Sequence, residues 1–266
     1  DVMHALDPWF VGVTLAYGPD GGVYVSDWSD TGECHHTRNT RKHTGRIYKI
    51  TFGKPKPWKG DIGKLSNEEL AKLQLHRNDW FVRHARRELQ ERAAFALGQV
   101  GDQAELVRVL TTHRDTTRRL RALWTLHSTR GLSVEMLSKL LHDKDDHLRA
   151  WAIQLLCENK MPSERVRAIF ERMAREDKSP LVRLYLASAM QRLPLPQRVP
   201  VLKASLAHAE DANDQNLPLM YWYATEPVVA ADKEAALQLL AACRIPKVRQ
   251  FITRRMATGP DAVKKE

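Results

Sequence analysis

The stretch DDHLRAWAIQLLCE, residues 145–158, opens with two acids, follows them with the apolar–cation pair Leu148-Arg149, and continues with apolar residues at helical spacing. The same order returns in DWFVRHARRELQERA (79–93), DTTRRLRALWTLHS (115–128), DKSPLVRLYLASAMQRL (177–193) and IPKVRQFITRRMA (245–257). The arginines of these pairs are Arg83, Arg121, Arg149, Arg183 and Arg249, and the first three steps are of similar length, each long enough for two short helices. The last gap, from Arg183 to Arg249, is about twice as long. It holds two steps if NLPLMYWYA (216–224) fills the middle place, with Met220 where the arginine would stand.

A period in the thirties with two helices per unit predicts an α-solenoid, in which each unit buries its apolar face only against its neighbours. The starts of the helices have local causes. Ser66-Asn-Glu-Glu69 reads as a capping box, and Pro180, Pro218 and Pro246 stand at first-turn positions where the missing N–H costs nothing. Asp79 and Asp145 lie four residues before Arg83 and Arg149, so each acid favours the helix dipole and can pair with an arginine one turn on. Asp79, Arg83, Arg121, Asp145, Arg149, Arg183 and Arg249 are therefore the expected structural ladder. The Asp-x-x-Val-Arg pattern and its variants resemble HEAT repeats, five to six of them over residues 66–257. Met220 and the acidic stretch HAEDANDQN (208–216) depart from the pattern.

Residues 1–53 have another texture. A Gly-Pro-Asp-Gly-Gly turn (18–22) leads into Val23-Tyr-Val-Ser-Asp-Trp28, and Ile47 to Phe52 alternates with period two, so both runs read as antiparallel strands. A small hairpin is marginal in water, so it must pack on the next domain or belong to a larger sheet. Lys54-Pro-Lys-Pro-Trp-Lys-Gly60 reads as a linker to residue 65, because each proline disfavours helix at itself and at its predecessor. Residues 258–266 read as a polar tail. The expected fold class is thus mainly α: an α-solenoid of HEAT-like helix pairs behind a short N-terminal antiparallel β segment.

The chain's 266 residues suffice for one or two domains, and no run approaches the length of a membrane span. The net charge is +10, with nine basic and seven acidic residues up to residue 64 and the remaining excess after it. That excess raises affinity for polyanions, but the arginines are spread along helices. Arg86-Arg87, Arg118-Arg119 and Arg254-Arg255 could form a basic surface or the solvated faces of their helices. Trp80, Trp124, Trp151, Tyr185 and Trp222, each in or beside a second helix of a unit, read as packing between helices.

The words GPDGGVYVSDW (18–28) and TGRIYKITFG (44–53) look like the closing blade of a β-propeller of the soluble glucose/sorbosone dehydrogenase type. With HRNDWFVRHARRELQERA (76–93) and NLPLMYWYATEP (216–227) after them, the order of pieces resembles the multidomain "membrane-bound dehydrogenase" proteins of Planctomycetes. That resemblance implies a propeller, then HEAT repeats, then commonly a cytochrome c domain, in an exported or cell-envelope protein. In such a parent a quinone cofactor and haem c would carry sugar or alcohol oxidation. Only about one blade is present here and there is no CxxCH motif, so neither cofactor is expected within this chain, and catalytic residues are expected to be none.

The loop GECHHTRNTRKH (32–43) offers Cys34, His35, His36 and His43 as candidate metal ligands. Against them, the spacing lacks the tight pairs of structural zinc sites, and Arg38, Arg41 and Lys42 oppose a cation. The three cysteines, Cys34, Cys157 and Cys243, are too far apart to suggest a motif, and their odd number leaves at least one free thiol. There is no nucleophile elbow. The sequence therefore points to a non-catalytic scaffold that contacts other domains of its parent or a protein partner. The alternatives are a part of a quinone dehydrogenase and a HEAT-type nucleic-acid binder. Burial of Arg83, Arg121, Arg149 and Arg183 in acid–base ladders would count against the last.

Overall fold

The computed structural model describes residues 3–29, 43–95, 103–158 and 162–258. Three strands, β1 (Gly12–Tyr17), β2 (Val23–Asp27) and β3 (Ile47–Ile50), form one antiparallel sheet in the order β1-β2-β3. Leu15 faces Val25, and Val25 faces Tyr48. A bulge interrupts the register between Gly12 and Thr14. The turn before β2 needs Gly21 at φ +81, a conformation only glycine adopts without strain.

Twelve helices follow among the described residues, in six consecutive pairs. The first three pairs are α1 (Asn67–Lys72) with α2 (Asp79–Phe95), α3 (Ala104–Thr112) with α4 (Thr116–Ser128), and α5 (Val134–Leu140) with α6 (Asp146–Leu156). Then come α7 (Glu164–Glu176) with α8 (Pro180–Met190), α9 (Leu195–Ser205) with α10 (Leu217–Ala231), and α11 (Lys233–Ala242) with α12 (Pro246–Thr258). Every sequence word that carries the apolar–Arg pattern lies on a second helix of a pair, and NLPLMYWYA opens α10. The fold is the expected one: mainly α, HEAT-like helix pairs behind a short antiparallel β segment.

The helix starts follow their residues. Ser66 caps α1 in a complete capping box, with its Oγ accepting from the Glu69 N–H at 3.2 Å and Glu69 accepting from the Ser66 N–H at 2.7 Å. Pro180 and Pro246 stand first in α8 and α12, and Pro218 second in α10. Ser179 precedes α8 but makes no side-chain cap; its hydroxyl donates to Asp146 at 2.7 Å.

The chain divides into two compact units, residues 1–113 with 121–131, and residues 114–120 with 132–266. In the first, α1 and α2 close a core of Leu70, Ala85, Leu89 and Ala93, with Ile62, Leu65 and Leu73 around it. The sheet joins this core at the start of α2: Tyr17 donates to Asp79 at 2.9 Å, and the Asn78 amide donates to the carbonyls of Gly18 at 3.0 Å and Pro19 at 3.2 Å. In the second unit, α6, α8, α10 and α12 pack in succession as one layer, and α7, α9 and α11 as the other. Its core is apolar, with Leu148, Ile153, Phe170, Leu186, Leu202 and Leu239 fully buried. Deleting such a side chain to alanine costs about 2–5 kcal/mol.

Candidate interaction face

Arginines tie these turns together by a repeated geometry. Arg149 donates from Nη1 to the carbonyl of Asp143, six residues before it, at 2.9 Å, and from Nε and Nη2 to the Asp177 carboxylate at 2.8 and 2.9 Å. Arg183 repeats this one unit later, with Nη1 on the Asp177 carbonyl at 2.9 Å and Nε on the Asp211 carboxylate at 2.7 Å. Arg249 keeps the first half: it reaches the Cys243 carbonyl, again six residues before it, and the Leu240 carbonyl at 2.7 Å. Each complete rung rivets the turn in its own helix pair to the turn of the next pair. Arg119, 7% exposed, adds a related rung to Asp143.

The expected intrahelical pairs are only half present. Asp79 accepts from Arg83 at 3.0 Å, and Arg83 remains 68% exposed. Asp145 instead caps its own helix, accepting from the His147 N–H at 3.0 Å, and takes a hydrogen bond from Thr116. Arg149 turns from it to Asp177, whose carboxylate is 7% exposed and holds the arginine in a bidentate grip. Arg121 reaches back to Asp79 at 2.8 Å and to the His76 carbonyl. The acids that complete the ladder, Asp143, Asp177 and Asp211, recur at equal intervals, a signal that could have been read beside the arginines. Asp211 lies in the very stretch that departs from the repeat pattern.

The charges follow from this geometry. Hydrogen bonds to Asp177 and Asp211 hold Arg149 and Arg183 above the ordinary guanidinium range, against the opposing effect of burial. Burial alone would raise the carboxyls of Asp79 and Asp143, yet their arginine neighbours, and Tyr17 at Asp79, keep both below the usual carboxylate range. Each arginine doublet splits, as consecutive helical residues must. Arg86 lies over the Trp124 ring while Arg87 pairs with Glu91, Arg119 is buried while Arg118 pairs with Asp115, and Arg255 holds Glu226 while Arg254 is exposed.

The aromatic residues expected between helices are not fully enclosed: Trp80, Trp124, Trp151, Tyr185 and Trp222 are all half-buried. On α6 the enclosed positions go to Leu148, Ala152 and Ile153, which leaves Trp151 at the flank, 6.2 Å from Tyr185. Beside that pair lies a hollow of about 440 Å³. It is lined by Gln154 of α6, Leu184, Tyr185 and Ser188 of α8, and Leu219, Met220 and Tyr223 of α10, with Asn216 at its edge. Tyr223 is 54% exposed there. Met220, the residue standing where the repeat has arginine, forms part of its wall.

Of the candidate metal ligands, Cys34, His35 and His36 lie outside the described residues, and His43 is exposed. Among the described residues no group of three or more His, Cys, Asp or Glu side chains is placed to hold a metal, and no helix is long and apolar enough to cross a membrane. Gly98 and Gly101, which in ALGQVGDQAE (96–105) suit a turn between repeat helices, also lie outside them. Cys157 and Cys243 are buried free thiols. The acid partners of the rungs, Asp143, Asp177 and Asp211, and the hollow at Met220 are the features that the sequence left unmarked.

The HEAT-repeat family matches residues 134–217, from α5 into the first turn of α10, a span that contains both complete rungs. No curated protein matches the chain. Among solved structures it is similar to two engineered proteins from the Northeast Structural Genomics Consortium. One shares 18% identity at a TM-score of 0.45, over 76% of this chain and all of that one. The other shares 16% at 0.44, over 74% of this chain and 96% of that one.

Proposed function

We propose that this chain is a non-catalytic HEAT-repeat scaffold whose second-helix face docks an apolar anchor of a protein partner. The hollow lined by α6, α8 and α10 carries this reading. It is concave and mostly apolar, and its walls come from three successive repeats that the rungs hold in register. An exposed tyrosine beside methionine and leucine is the side-chain chemistry of an interaction hot spot. The nucleic-acid alternative loses support where Arg121, Arg149 and Arg183 are engaged by carboxylates with little exposure, while Arg83, paired with Asp79, stays 68% exposed.

Selection of a random peptide library on the whole chain tests the docking face. Enriched peptides should share an aromatic or large aliphatic anchor, and Tyr223→Ser, at a half-exposed position, should weaken them about tenfold. Peptides that bind Tyr223→Ser equally well would sink the proposal.

A second reading concerns the parent. We propose that the N-terminal sheet is the closing blade of a propeller in a dehydrogenase-like, cell-envelope protein, with quinone and haem c chemistry in its other parts. Its support is the resemblance together with the state of β1, all six residues of which are exposed, Val13 at 61% and Leu15 at 72%. Strands that cover such an edge would remove a liability that soluble proteins avoid. Hydrogen exchange on a longer reading frame tests it: the amides of residues 12–17 should become protected, and unchanged exchange there would overturn it.

A further inference from the structure

We infer that Arg83 and Arg86 of α2, with Arg121 and Trp124 of α4, bind an oxyanion, a carboxylate or phosphate group carried in by a ligand. This face belongs to the first compact unit. It shares no residue with the docking hollow, so either proposal can fail without the other.

The ladder runs short of acids here. Each later rung gives one carboxylate to one arginine, Asp177 to Arg149 and Asp211 to Arg183. Between α2 and α4 the single carboxylate of Asp79 accepts from Arg83 at 3.0 Å, from Arg121 at 2.8 Å and from Tyr17 at 2.9 Å. Arg86 is left with no acid. At the spacings from which a helical neighbour could pair with it, α2 carries Val82, Arg83, Leu89 and Gln90. Three guanidiniums therefore meet one carboxylate, and the uncompensated charge falls on Arg86.

Arg86 is half-buried and held in place by α4. Its Nε donates to the Thr125 hydroxyl at 3.3 Å, and its guanidinium lies 5.5 Å from the centre of the Trp124 ring. The Nη1 and Nη2 donors find no acceptor among the described residues. Arg198 shows how an enclosed arginine is satisfied without an acid: it donates to the carbonyls of Leu193 at 2.8 Å, Gln191 at 3.1 Å and Ala224 at 3.3 Å. Arg86 has no such set. Burial, reinforced by Arg121 and Arg83 and opposed by Asp79, pushes it below the ordinary guanidinium range, whereas Arg149 and Arg183 are held above that range. An oxyanion would give Arg86 what Asp177 and Asp211 give the later rungs. The paired N–H groups of one guanidinium match two oxygens of a carboxylate or phosphate, and partial burial strengthens the attraction. A cationic ligand would meet three like charges.

Titration of the full chain with inorganic phosphate, and separately with an acetylated, amidated hexaglutamate peptide, followed by NMR of the Trp124 indole and the arginine Nε–H groups, tests the site. The Trp124 and Arg86 signals should move with at least one probe. Arg86→Gln should weaken binding about tenfold, the loss of one charge-assisted pair. Arg83→Gln, at an exposed position, should weaken it about 2- to 5-fold. Arg172→Gln, an exposed arginine of α7, should leave it unchanged. Tighter binding of the peptide would assign the anion to acidic side chains of a partner, and tighter binding of phosphate to a phosphoryl group. Both results uphold the oxyanion site. Absence of shifts at Trp124 and Arg86 with both probes, or equal losses from Arg86→Gln and Arg172→Gln, would overturn it.

Discussion

Arg183 and Asp211 lie on successive repeats and meet with side chains only 4% and 3% exposed, and the Tyr221 hydroxyl donates to the same carboxylate at 2.8 Å. A buried pair of this kind stabilises little over an apolar pair of the same shape, but removing one partner strands the other charge out of water. Asp211→Ala should therefore cost about 3–5 kcal/mol. The double variant Arg183→Met, Asp211→Leu should recover most of that loss. Arg83→Ala, by contrast, removes an exposed pair with Asp79 and an exposed contact with the Tyr17 ring, and should cost about 1 kcal/mol or less. Urea unfolding of the four proteins checks the ordering, and equal losses for Arg83→Ala and Asp211→Ala would contradict the buried-rung account.

The sign of the acid dependence follows from Asp79 and Asp143. Against the opposing effect of burial, Tyr17, Arg121 and Arg83 beside Asp79, and Arg119 beside Asp143, hold both carboxyls below their unfolded value of about 3.9. A depressed folded pKa gives stability that is present above about pH 4 and is lost as pH falls through the folded value. Melting temperature should thus be level near neutrality and drop below about pH 4. Asp143→Asn should begin from a lower plateau and show a shallower acid decline, as thermal scans between neutral pH and acid would record. An acid decline as steep as that of the parent chain would assign the effect to other groups.

The thiol of Cys157 is fully buried, and burial pushes it up to about 12. A thiol has to become thiolate before it attacks an electrophile. Iodoacetamide at mildly alkaline pH should leave Cys157 unmodified in the folded chain and label it fully in denaturant, as peptide mapping would show. Because the unfolded thiol ionises first, its contribution to stability is present below about pH 8.5 and falls away as pH rises towards the folded value. Rapid labelling of the native chain would contradict this burial.

Much of the architecture was legible because helix starts and repeat periods are local properties. The Ser66 capping box, the first-turn prolines and the apolar–Arg words all mark helices without any knowledge of packing. Partner choice is not local. Asp145 sits at ideal spacing for Arg149, yet the arginine takes the buried, bidentate carboxylate of Asp177, because Asp145 is committed to its own helix cap and to Thr116. The stretch 208–216 seemed to break the repeat, and it supplies the acid of the last complete rung. The hollow at Met220 was illegible for a similar reason. Its walls come from residues 154, 184 and 220, which only the stacking of α6, α8 and α10 brings together.

Strand β1 gives the sharpest contrast between two contexts. Leu15 is 72% exposed, while its cross-strand partner Val25 is 6% exposed and belongs to the core. In this chain Leu15→Lys removes no buried contact, so stability should stay within about 0.5 kcal/mol. A charge on an open edge also blocks strand-to-strand pairing between copies. Light scattering should therefore show less concentration-dependent association for Leu15→Lys than for the unaltered chain. In a longer polypeptide whose further strands cover β1, the same lysine would be forced against an apolar neighbour and stability should drop by well over about 1 kcal/mol. A neutral outcome there would remove the case for covering strands, and a large loss in the present chain would show that Leu15 already has a packing partner.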